Sequence, residues 1–364
     1  MTDRAAQPPM VEARDLRIQR GGRVVLELGS LDVGRGETWV LVGPNGAGKT
    51  SLLRALGLLD TPSAGTLKLF GEPLARPPPL ALRRRVLTVF QETLLLDESA
   101  LANVALPLKL RGIALETRCA AARAALALFE AEHLADRRAR QLSGGEARRV
   151  ALARGFAAKP ELLLLDEPFA ALDPPSRESL TIELKQAIHS TGTTCIAVTH
   201  DRTEALALSD HLGVILDGKL VQAGPTDAVF RAPADEAVAR FIGVENLIPV
   251  RILERGQESF RLDASGIALT CPPAPVKGES AVACIRAQDV LLATGSPGPL
   301  SARNCVPCTV SAIVPAPAGL YVRLTGPFPM VALLTRAAVE DLGLTPQRPC
   351  TALFKSNAVH LLQA

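Results

Sequence analysis

The chain has 364 residues, 48% of them hydrophobic and 3% aromatic, so it is long enough for two or three domains with mainly aliphatic cores. Its 40 Lys and Arg residues nearly balance 37 Asp and Glu residues, which gives a net charge of +3. This balance and the scarcity of aromatic stacking surfaces argue against a nucleic-acid partner. The sequence contains no uncharged apolar run of about 18 residues, and it contains no secretory signal. We therefore expect a cytoplasmic protein without a membrane span.

Apolar runs typical of strands alternate with helical patterns over about the first 230 residues. The predicted strands are residues 24–26, 38–42, 162–165 and 194–198, and the predicted helices are residues 52–59 and 115–134. The run of four leucines at 162–165 is continuous, as expected for a parallel strand buried on both faces. We therefore predict an α/β domain with a parallel core over residues 10–240.

The pattern changes near Phe241, after which short apolar runs are broken by Gly, Pro and polar residues. The predicted strands are residues 282–285, 309–314, 321–324, 331–334, 351–354 and 359–362. Dense short strands favour a small β-barrel, and Pro297-Gly298-Pro299 indicates a joint. We predict a joining β segment over residues 241–298 and a small OB-like all-β barrel over residues 299–364.

A glycine-rich loop follows the predicted strand that ends at Val42 and opens a predicted helix. It fits the pattern G-x-x-x-x-G-K-[ST] and stands in the strand–loop–helix context that this motif needs. The loop comprises Gly43, Pro44, Asn45, Gly46, Ala47, Gly48, Lys49 and Thr50, followed by Ser51. Glycines let backbone N–H groups turn toward phosphate oxygens, the lysine neutralises phosphate charge, and the threonine hydroxyl suits Mg²⁺. The sequence therefore predicts a site for nucleotide phosphates and Mg²⁺.

Two acidic residues end the apolar run at 162–165. Asp166 stands where a carboxylate at the end of a buried strand holds Mg²⁺, directly or through water. Glu167 is placed to polarise an attacking water. Either residue alone would be interpreted as a surface acid at a strand end. Together with the phosphate loop, the pair predicts nucleotide hydrolysis.

The segment Leu142-Ser143-Gly144-Gly145-Glu146, with the phosphate loop and the acidic pair, resembles the nucleotide-binding subunits of ABC transporters. Gln91 matches the glutamine loop of that family, Asp173 its D-loop and His200 its switch histidine, all in the family's order. The resemblance covers about residues 10–240. It implies a P-loop NTPase fold and an ATPase that couples ATP hydrolysis to transport.

The resemblance also implies a role for each matching residue. Ser143, Gly144 and Gly145 are expected to bind the γ-phosphate of ATP held by a second copy of the chain, and Asp173 is expected to be a further nucleotide-binding residue. Glu167 is expected to be the general base, and His200 to contact the γ-phosphate. Gln91 is expected to join Thr50 and Asp166 at Mg²⁺, to sense the attacking water and to relay closure to a membrane partner.

One position departs from the family pattern. The family usually has an aromatic residue upstream of the phosphate loop that stacks on adenine, and this chain has Arg20 there. Two interpretations stay open. Arg20 stacks on the base through its guanidinium plane, or the base is held loosely.

The C-terminal residues also resemble a known type of domain. The segments Ser301-Ala-Arg303-Asn304 and Lys355-Ser356-Asn-Ala-Val-His360 are similar to the molybdate-binding (Mop or TOBE) type of barrel. The segment at 243–247 is similar to the joining segment in ATPases of tungstate and molybdate importers. An oxyanion needs hydroxyl and cationic ligands. The candidates are Ser301, Arg303, Lys355 and Ser356, and the alternative is a structural dimer clamp that binds nothing.

Taken together, these features predict the ATPase subunit of a tungstate or molybdate importer. Its expected partners are a second copy of itself, permease subunits and an extracytoplasmic solute-binding protein, at the cytoplasmic face of the cell membrane. Importers of sulfate, ferric iron, polyamines or sugars remain alternatives. A soluble ABC protein of ribosomes or DNA is disfavoured because the chain has one cassette and no coiled-coil insertion. A regulator without catalysis is disfavoured because Lys49, Asp166, Glu167 and His200 are all present.

Overall fold

The computed structural model describes residues 8–75, 77–295, 298, 300–316 and 318–364. These residues form two compact units, one ending at Thr226 and the other beginning at Asp227. Among them, the helices are too short or too polar to cross a membrane. The predicted joint Pro297-Gly298-Pro299 lies outside the described residues except for Gly298, and the predicted boundaries at 240/241 and 298/299 stay predictions.

The strands of the first unit, over its described residues, form one ten-stranded sheet. They are β1 Val11–Arg20, β2 Arg23–Val33, β3 Thr38–Val42, β4 Ala64–Leu69, β5 Glu72–Pro73, β6 Val86–Val89, β7 Leu162–Asp166, β8 Thr194–Thr199, β9 His211–Leu216 and β10 Lys219–Pro225. The sheet order is β5-β4-β1-β2-β10-β9-β3-β8-β7-β6. Strands β6, β7, β8, β3 and β9 pair in parallel, which confirms the predicted α/β fold.

Helices of this unit connect or flank the strands. They are α1 Lys49–Leu56, α2 Leu80–Arg83, α3 Ala100–Leu110, α4 Leu115–Ala127, α5 Gly144–Ala157, α6 Pro174–Thr191 and α7 Arg202–Leu208, with α8 Thr226–Arg231 at the junction. The predicted helix 115–134 is too long: α4 ends at Ala127, and Glu130 adopts a left-handed φ of 49°. The predicted helix 52–59 also ends early, because the left-handed Leu58 follows Gly57, whose N–H bonds back to Leu53.

The parallel strands bring the predicted site residues to one edge of the sheet. Val89 of β6 pairs with Leu165 of β7, so the residues that follow these strands start side by side. Strands β3 and β8 also end at this edge, because Val42 pairs with Thr199. The carboxyl edge of a parallel sheet is where ligands of α/β proteins bind.

The second unit contains α9 Glu236–Ile242, α10 Arg336–Asp341 and short strands. The strands are β11 Asn246–Arg255, β12 Phe260–Ala264, β13 Ile267–Cys271, β14 Ser280–Ile285, β15 Leu291–Ala293, β16 Asn304–Ala316, β17 Gly319–Thr325, β18 Met330–Leu334, β19 Pro349–Phe354 and β20 His360–Gln363. Within the described residues they form two five-stranded sheets, β13-β12-β11-β14-β20 and β15-β19-β16-β17-β18. One hydrophobic core includes side chains from both sheets.

The two sheets exchange strands across the predicted boundary at 298/299. β20 pairs with β14, and β15 pairs with β19, so each sheet contains residues from before and after that point. The strands predicted from the sequence do not include β11, β12, β13 and β15. In β11, buried residues alternate with exposed ones that include Pro249 and Arg251. The strand therefore contains no continuous apolar run that would indicate it in the sequence.

Polar side chains of the segment 243–247 support the second unit's fold. The buried Asn246 donates from Nδ2 to the carbonyls of Ile285 and Val331, at 3.1 and 3.0 Å, and its Oδ1 accepts from Val331 N at 2.6 Å. Glu245 accepts from Ala287 N at 3.0 Å and from the hydroxyl of Tyr321 at 3.1 Å. These bonds give the segment a structural role that does not depend on a cargo.

Candidate active site

The glycine loop turns tightly because neighbouring backbone leaves no room for side chains. A Cβ at Gly43 would lie 2.1 Å from the carbonyl oxygen of Ile215 in β9. A Cβ at Gly48 would lie 2.5 Å from the carbonyl oxygen of Val25 in β2, and Gly48 has a φ of +95° that favours glycine. The fold therefore requires glycine at both positions.

Lys49, the first residue of α1, lies within this loop. Its side chain is buried, and Nζ donates to the carbonyls of Gly43 at 2.7 Å and Pro44 at 3.1 Å. Burial lowers the pKa of Lys49, while the charges of Glu167 and Asp166 act in the opposite direction. The loop thus encloses a cation next to two acidic side chains.

Thr50 and Asp166 form the second contact of the site. The Thr50 hydroxyl donates to Asp166 Oδ1 at 3.0 Å, and Asp166 is only 5% exposed. Burial raises the pKa of Asp166, and the bond from Thr50 opposes that change. Hydroxyl and carboxylate oxygens are ligands that Mg²⁺ accepts, so this pair fits the predicted metal.

Glu167 lies in a strained turn directly after β7. Its φ of 45° is unusual for a residue with a side chain, and its N–H donates to Val198 O at 3.0 Å. His200 Nδ1 lies 3.1 and 3.0 Å from the two carboxylate oxygens of Glu167. The hydroxyl of Thr199 lies 3.2 Å from Glu167 Oε2. These contacts fix the direction of the Glu167 carboxylate.

A second carboxyl, absent from the residues predicted from the sequence, lies behind Glu167. Glu204 in α7 is buried, and the Thr199 hydroxyl donates to its Oε2 at 2.6 Å. Burial raises the pKa of Glu204. Thr199 could have been suspected from the sequence, because it directly precedes His200. The sequence around Glu204 is typical of an exposed helix and gives no such indication.

Gln91 follows the end of β6 and is exposed. Its backbone carbonyl accepts from Arg148 Nη1 at 3.0 Å. Arg148 also donates to the carbonyls of Asp166 and Glu167. The glutamine segment and the acidic pair are therefore connected through Arg148, a residue that is not among the predicted site residues.

The signature segment forms the N-terminus of α5. Ser143 Oγ accepts from Glu146 N at 3.3 Å, and Glu146 Oε2 accepts from Ser143 N at 2.8 Å, a capping box. Among the described residues, no atom lies within 4 Å of a Cβ added at Gly144, and for Gly145 the nearest is Leu172 Cδ2 at 3.9 Å. Packing inside this chain does not require glycine at 144 or 145.

Asp173 and Arg20 have local partners. Asp173 caps α6 by accepting from Ser176 N at 3.3 Å, and its bonds with Ser176 lower the pKa of Asp173. The Arg20 guanidinium forms an ion pair with Asp60, which also accepts two bonds from Arg54 at 2.8 and 3.1 Å. The nucleotide contacts of Asp173 and Arg20 stay predictions.

The four oxyanion candidates lie in the second unit, where the ladder between β16 and β19 ends at Asn304 and Phe354. Arg303 and Lys355 flank that last pair at the same end of the two strands. Ser301 and Arg303 line an open cavity of 590 Å³ with Thr270, Leu300 and Ala302, whereas Lys355 and Ser356 do not line it. Ser356 Oγ is buried and, within the described residues, lacks a hydrogen-bond partner.

Comparison with known families identifies both parts of the chain. The model of the ABC transporter family matches residues 26–170, and that of the TOBE domain matches residues 300–361. A molybdate/tungstate import ATP-binding protein of Pyrococcus abyssi is 36% identical over 91% of this chain and 94% of its own. A spermidine/putrescine import ATP-binding protein of Pseudomonas fluorescens is 39% identical over 75% of this chain and 77% of its own.

Solved structures agree. A dimeric ATP-binding cassette in a post-hydrolysis state with ADP and Pi is 30% identical and covers 60% of this chain and 99% of its own, with a TM-score of 0.54. CbiO1 of Clostridium perfringens, part of an ABC transporter complex, is 26% identical and covers 64% of this chain and 94% of its own, with a TM-score of 0.58. The chain therefore belongs to the ATP-binding subunits of ABC importers and is an ATPase with a C-terminal TOBE domain.

Proposed function

We propose that this chain energises uptake of tungstate or molybdate. The observation that carries the proposal is the extent of the match to the Pyrococcus abyssi molybdate/tungstate protein, which spans 91% of this chain. A second molybdate/tungstate protein, from Pyrococcus horikoshii, matches over the same share at 36% identity. A match over 91% of the chain includes most of the C-terminal unit, residues 227–364.

Polyamine import is the second candidate. The spermidine/putrescine proteins are 38 to 42% identical to this chain, slightly more than the molybdate/tungstate proteins, but over 64 to 79% of it. The higher identity favours polyamines, and the longer match favours the oxyanion. We give the longer match more weight because the ATPase unit is shared by importers of many cargoes.

The ATPase mechanism follows from the contacts of the site. Lys49 and the backbone N–H groups of the glycine loop neutralise and orient the phosphates of ATP. Glu167 accepts a proton from the attacking water as its oxygen bonds to the γ-phosphorus and the bond to the leaving ADP oxygen breaks. His200 Nδ1, which lies within hydrogen-bond distance of both oxygens of Glu167, holds that carboxylate in place. Thr50, Asp166 and Gln91 would hold Mg²⁺, which would neutralise charge on the β- and γ-phosphates.

We propose that the working unit is a dimer. The open surroundings of Gly144 and Gly145 support this, because a glycine that internal packing does not need suits the close approach of a group from outside. Ser143 and both glycines lie at the N-terminus of the 14-residue helix α5, where N–H groups favour an anion. That anion would be the γ-phosphate of ATP bound to the partner copy, with Asp173 at the same interface.

The remaining partners follow from the importer class. Permease subunits would supply the pore and hold this chain at the cytoplasmic face of the membrane, with an extracytoplasmic solute-binding protein delivering cargo. In the C-terminal unit, Ser301 and Arg303 with Lys355 and Ser356 would bind cytoplasmic oxyanion and restrain hydrolysis. The unpartnered hydroxyl of Ser356 supports an anion ligand nearby.

Calorimetry on the full chain tests the cargo proposal. Tungstate, molybdate, sulfate and spermidine would be titrated into the wild type and into an R303A/K355A variant. We expect heat with tungstate or molybdate that the variant abolishes. Binding of spermidine alone would favour polyamine import, and no heat with any ligand would remove the sensing role. Transport of radiolabelled cargo by the assembled importer tests the cargo itself.

A further inference from the structure

Arg148 is a buried cation whose partners are backbone carbonyls. It lies on α5, five residues after Ser143, and is 3% exposed. Nε donates to Pro168 O at 2.5 Å, and Nη1 donates to Phe90 O at 2.7 Å and Gln91 O at 3.0 Å. Nη2 donates to Glu167 O and, at 3.3 Å, to Asp166 O. A guanidinium has five N–H groups, and each has an acceptor.

These acceptors belong to two segments that are far apart in the chain. Phe90 and Gln91 form the glutamine segment, which follows β6. Residues 166–168 form the acid segment, which ends β7. Beyond the paired residues of β6 and β7, the sheet does not join these segments, because the pairing stops at Val89 and Leu165. Arg148 continues the connection where the ladder ends.

Simple packing does not explain a charge at this position. Burial lowers the pKa of Arg148 to about 10, so the side chain stays charged at neutral pH. A buried cation is costly unless its donors are satisfied, and an apolar residue of similar volume often packs at least as well. The neighbouring Arg149 is different, because it pairs with the carboxylate of Glu183 on α6. Arg148 instead binds dipoles of the segments that contain Gln91 and Glu167.

We propose that Arg148 is a positioning residue that locks the glutamine segment to the acid segment. Through it, a movement of Gln91 changes the position of the Glu167 carboxylate, and α5 carries the same movement from the signature segment. The inference rests on the proposed roles of Gln91 and Glu167. It adds a specific link among three parts of the ATPase. These are the glutamine segment, which would sense the permease, the signature segment, which would cap the partner's nucleotide, and the proposed base Glu167.

The test compares full-length R148M and R148K with the matched control R149M. Each protein would be measured for kcat, the KM for ATP, the affinity for an ATP analogue and the melting temperature. We expect R148M to lose about tenfold to a hundredfold in kcat, the scale of a displaced catalytic group, with KM and analogue affinity within about twofold. R148K keeps the charge and up to three donors, so it should recover part of kcat.

The control and a double variant separate positioning from folding. R149M breaks a buried ion pair on the same helix, so it should lower the melting temperature and leave kcat within about twofold. Q91A should lower kcat by a smaller factor in the R148M background than in the wild type, because the link through Arg148 is already broken and only the direct contact of Gln91 with Mg²⁺ remains to be lost. If R148M does not fold, R148K against R149K makes the same comparison.

The proposal is overturned by wild-type kcat in R148M, by wild-type kcat in R148K where R148M does not fold, or by an equal loss of kcat in the Arg149 variant. Fully multiplicative losses in Q91A/R148M would also overturn it. A failure of the proposed function is distinguishable, because E167Q would then retain full turnover whatever the Arg148 variants do.

Discussion

His200 Nδ1 lies 3.0 Å from Glu167 Oε2, and the two residues follow neighbouring parallel strands. Their side chains differ in exposure, 59% for His200 and 12% for Glu167. Glu167 therefore lies recessed, with the more exposed histidine beside it. In the proposed mechanism Glu167 would accept the proton and His200 would orient the Glu167 carboxylate, which leads to the first prediction.

Replacing Glu167 with Gln should lower kcat by about 10²- to 10⁴-fold, because the amide cannot accept the proton of the attacking water. ATP binding should persist, since Lys49 and the glycine loop are unchanged. Turnover and binding of a fluorescent ATP analogue would be measured on the same preparation. Residual full activity in E167Q would refute the assignment of the base.

Replacing Thr50 with Ala should raise the Mg²⁺ concentration needed for half-maximal ATPase activity by about tenfold or more. The change removes the hydroxyl that contacts Asp166 at 3.0 Å. T50S keeps the hydroxyl and is the matched control. A Mg²⁺ titration of ATPase activity gives the result, and an unchanged Mg²⁺ requirement in T50A would exclude Thr50 as a ligand.

Glu204 predicts a pH-dependent stability. Burial raises the pKa of Glu204 in the folded state above its ordinary value of 4.5. At a pH between the ordinary pKa and the raised pKa, the folded state therefore binds more protons than the unfolded state. Its contribution to stability therefore falls as pH rises through this window, and the cost of the buried charge is fully present above it. E204Q should melt at a higher temperature than wild type at about pH 8, with a difference that shrinks toward pH 4.5.

Glu183 provides the control for Glu204, because it is also buried but lies much closer to its cation, at 2.5 Å from Arg149 against 3.7 Å between Glu204 and Arg177. E183Q should lower the melting temperature at about pH 8, since it breaks that ion pair. Thermal unfolding of both variants across pH gives the comparison. A melting-temperature difference for E204Q that stays constant from neutral to acidic pH would contradict the prediction.

Replacing Arg20 with Ala should raise the KM for ATP by about two- to fivefold, the size of an exposed guanidinium–π contact, with kcat unchanged. R20Y supplies an aromatic plane and should restore the KM. D60N loosens the ion pair that holds Arg20 and should have an intermediate effect. An unchanged KM in R20A would rule out stacking by Arg20.

The sequence was most informative where a motif and its structural context coincide. Lys49 and Thr50 could be placed because the loop's glycines, the preceding strand and the following helix are local. Gly48, for example, must be glycine because a Cβ there would lie only 2.5 Å from the carbonyl oxygen of Val25. The family and the fold class predicted from these motifs are confirmed.

Arg148 shows what the sequence could not reveal. Its acceptors are the backbone carbonyls of residues 90–91 and 166–168. Every residue has a backbone carbonyl, so neither a residue type nor a spacing in the sequence indicates which carbonyls Arg148 binds. Glu204 was missed for a related reason, because burial of an acidic side chain depends on tertiary packing. The overlong prediction for α4 has a local cause, since helix propensity continues past Ala127 while the backbone turns left-handed at Glu130.

The strand exchange of the second unit has a consequence for synthesis. β14 keeps one edge without its partner until residues 360–363 have left the ribosome, and β15 waits in the same way for β19. The sheet of the first unit is complete once β10 has been made. The strands of the ATPase unit are therefore all available for pairing while both sheets of the C-terminal unit still lack a strand, so the nucleotide site can form before the C-terminal unit is complete.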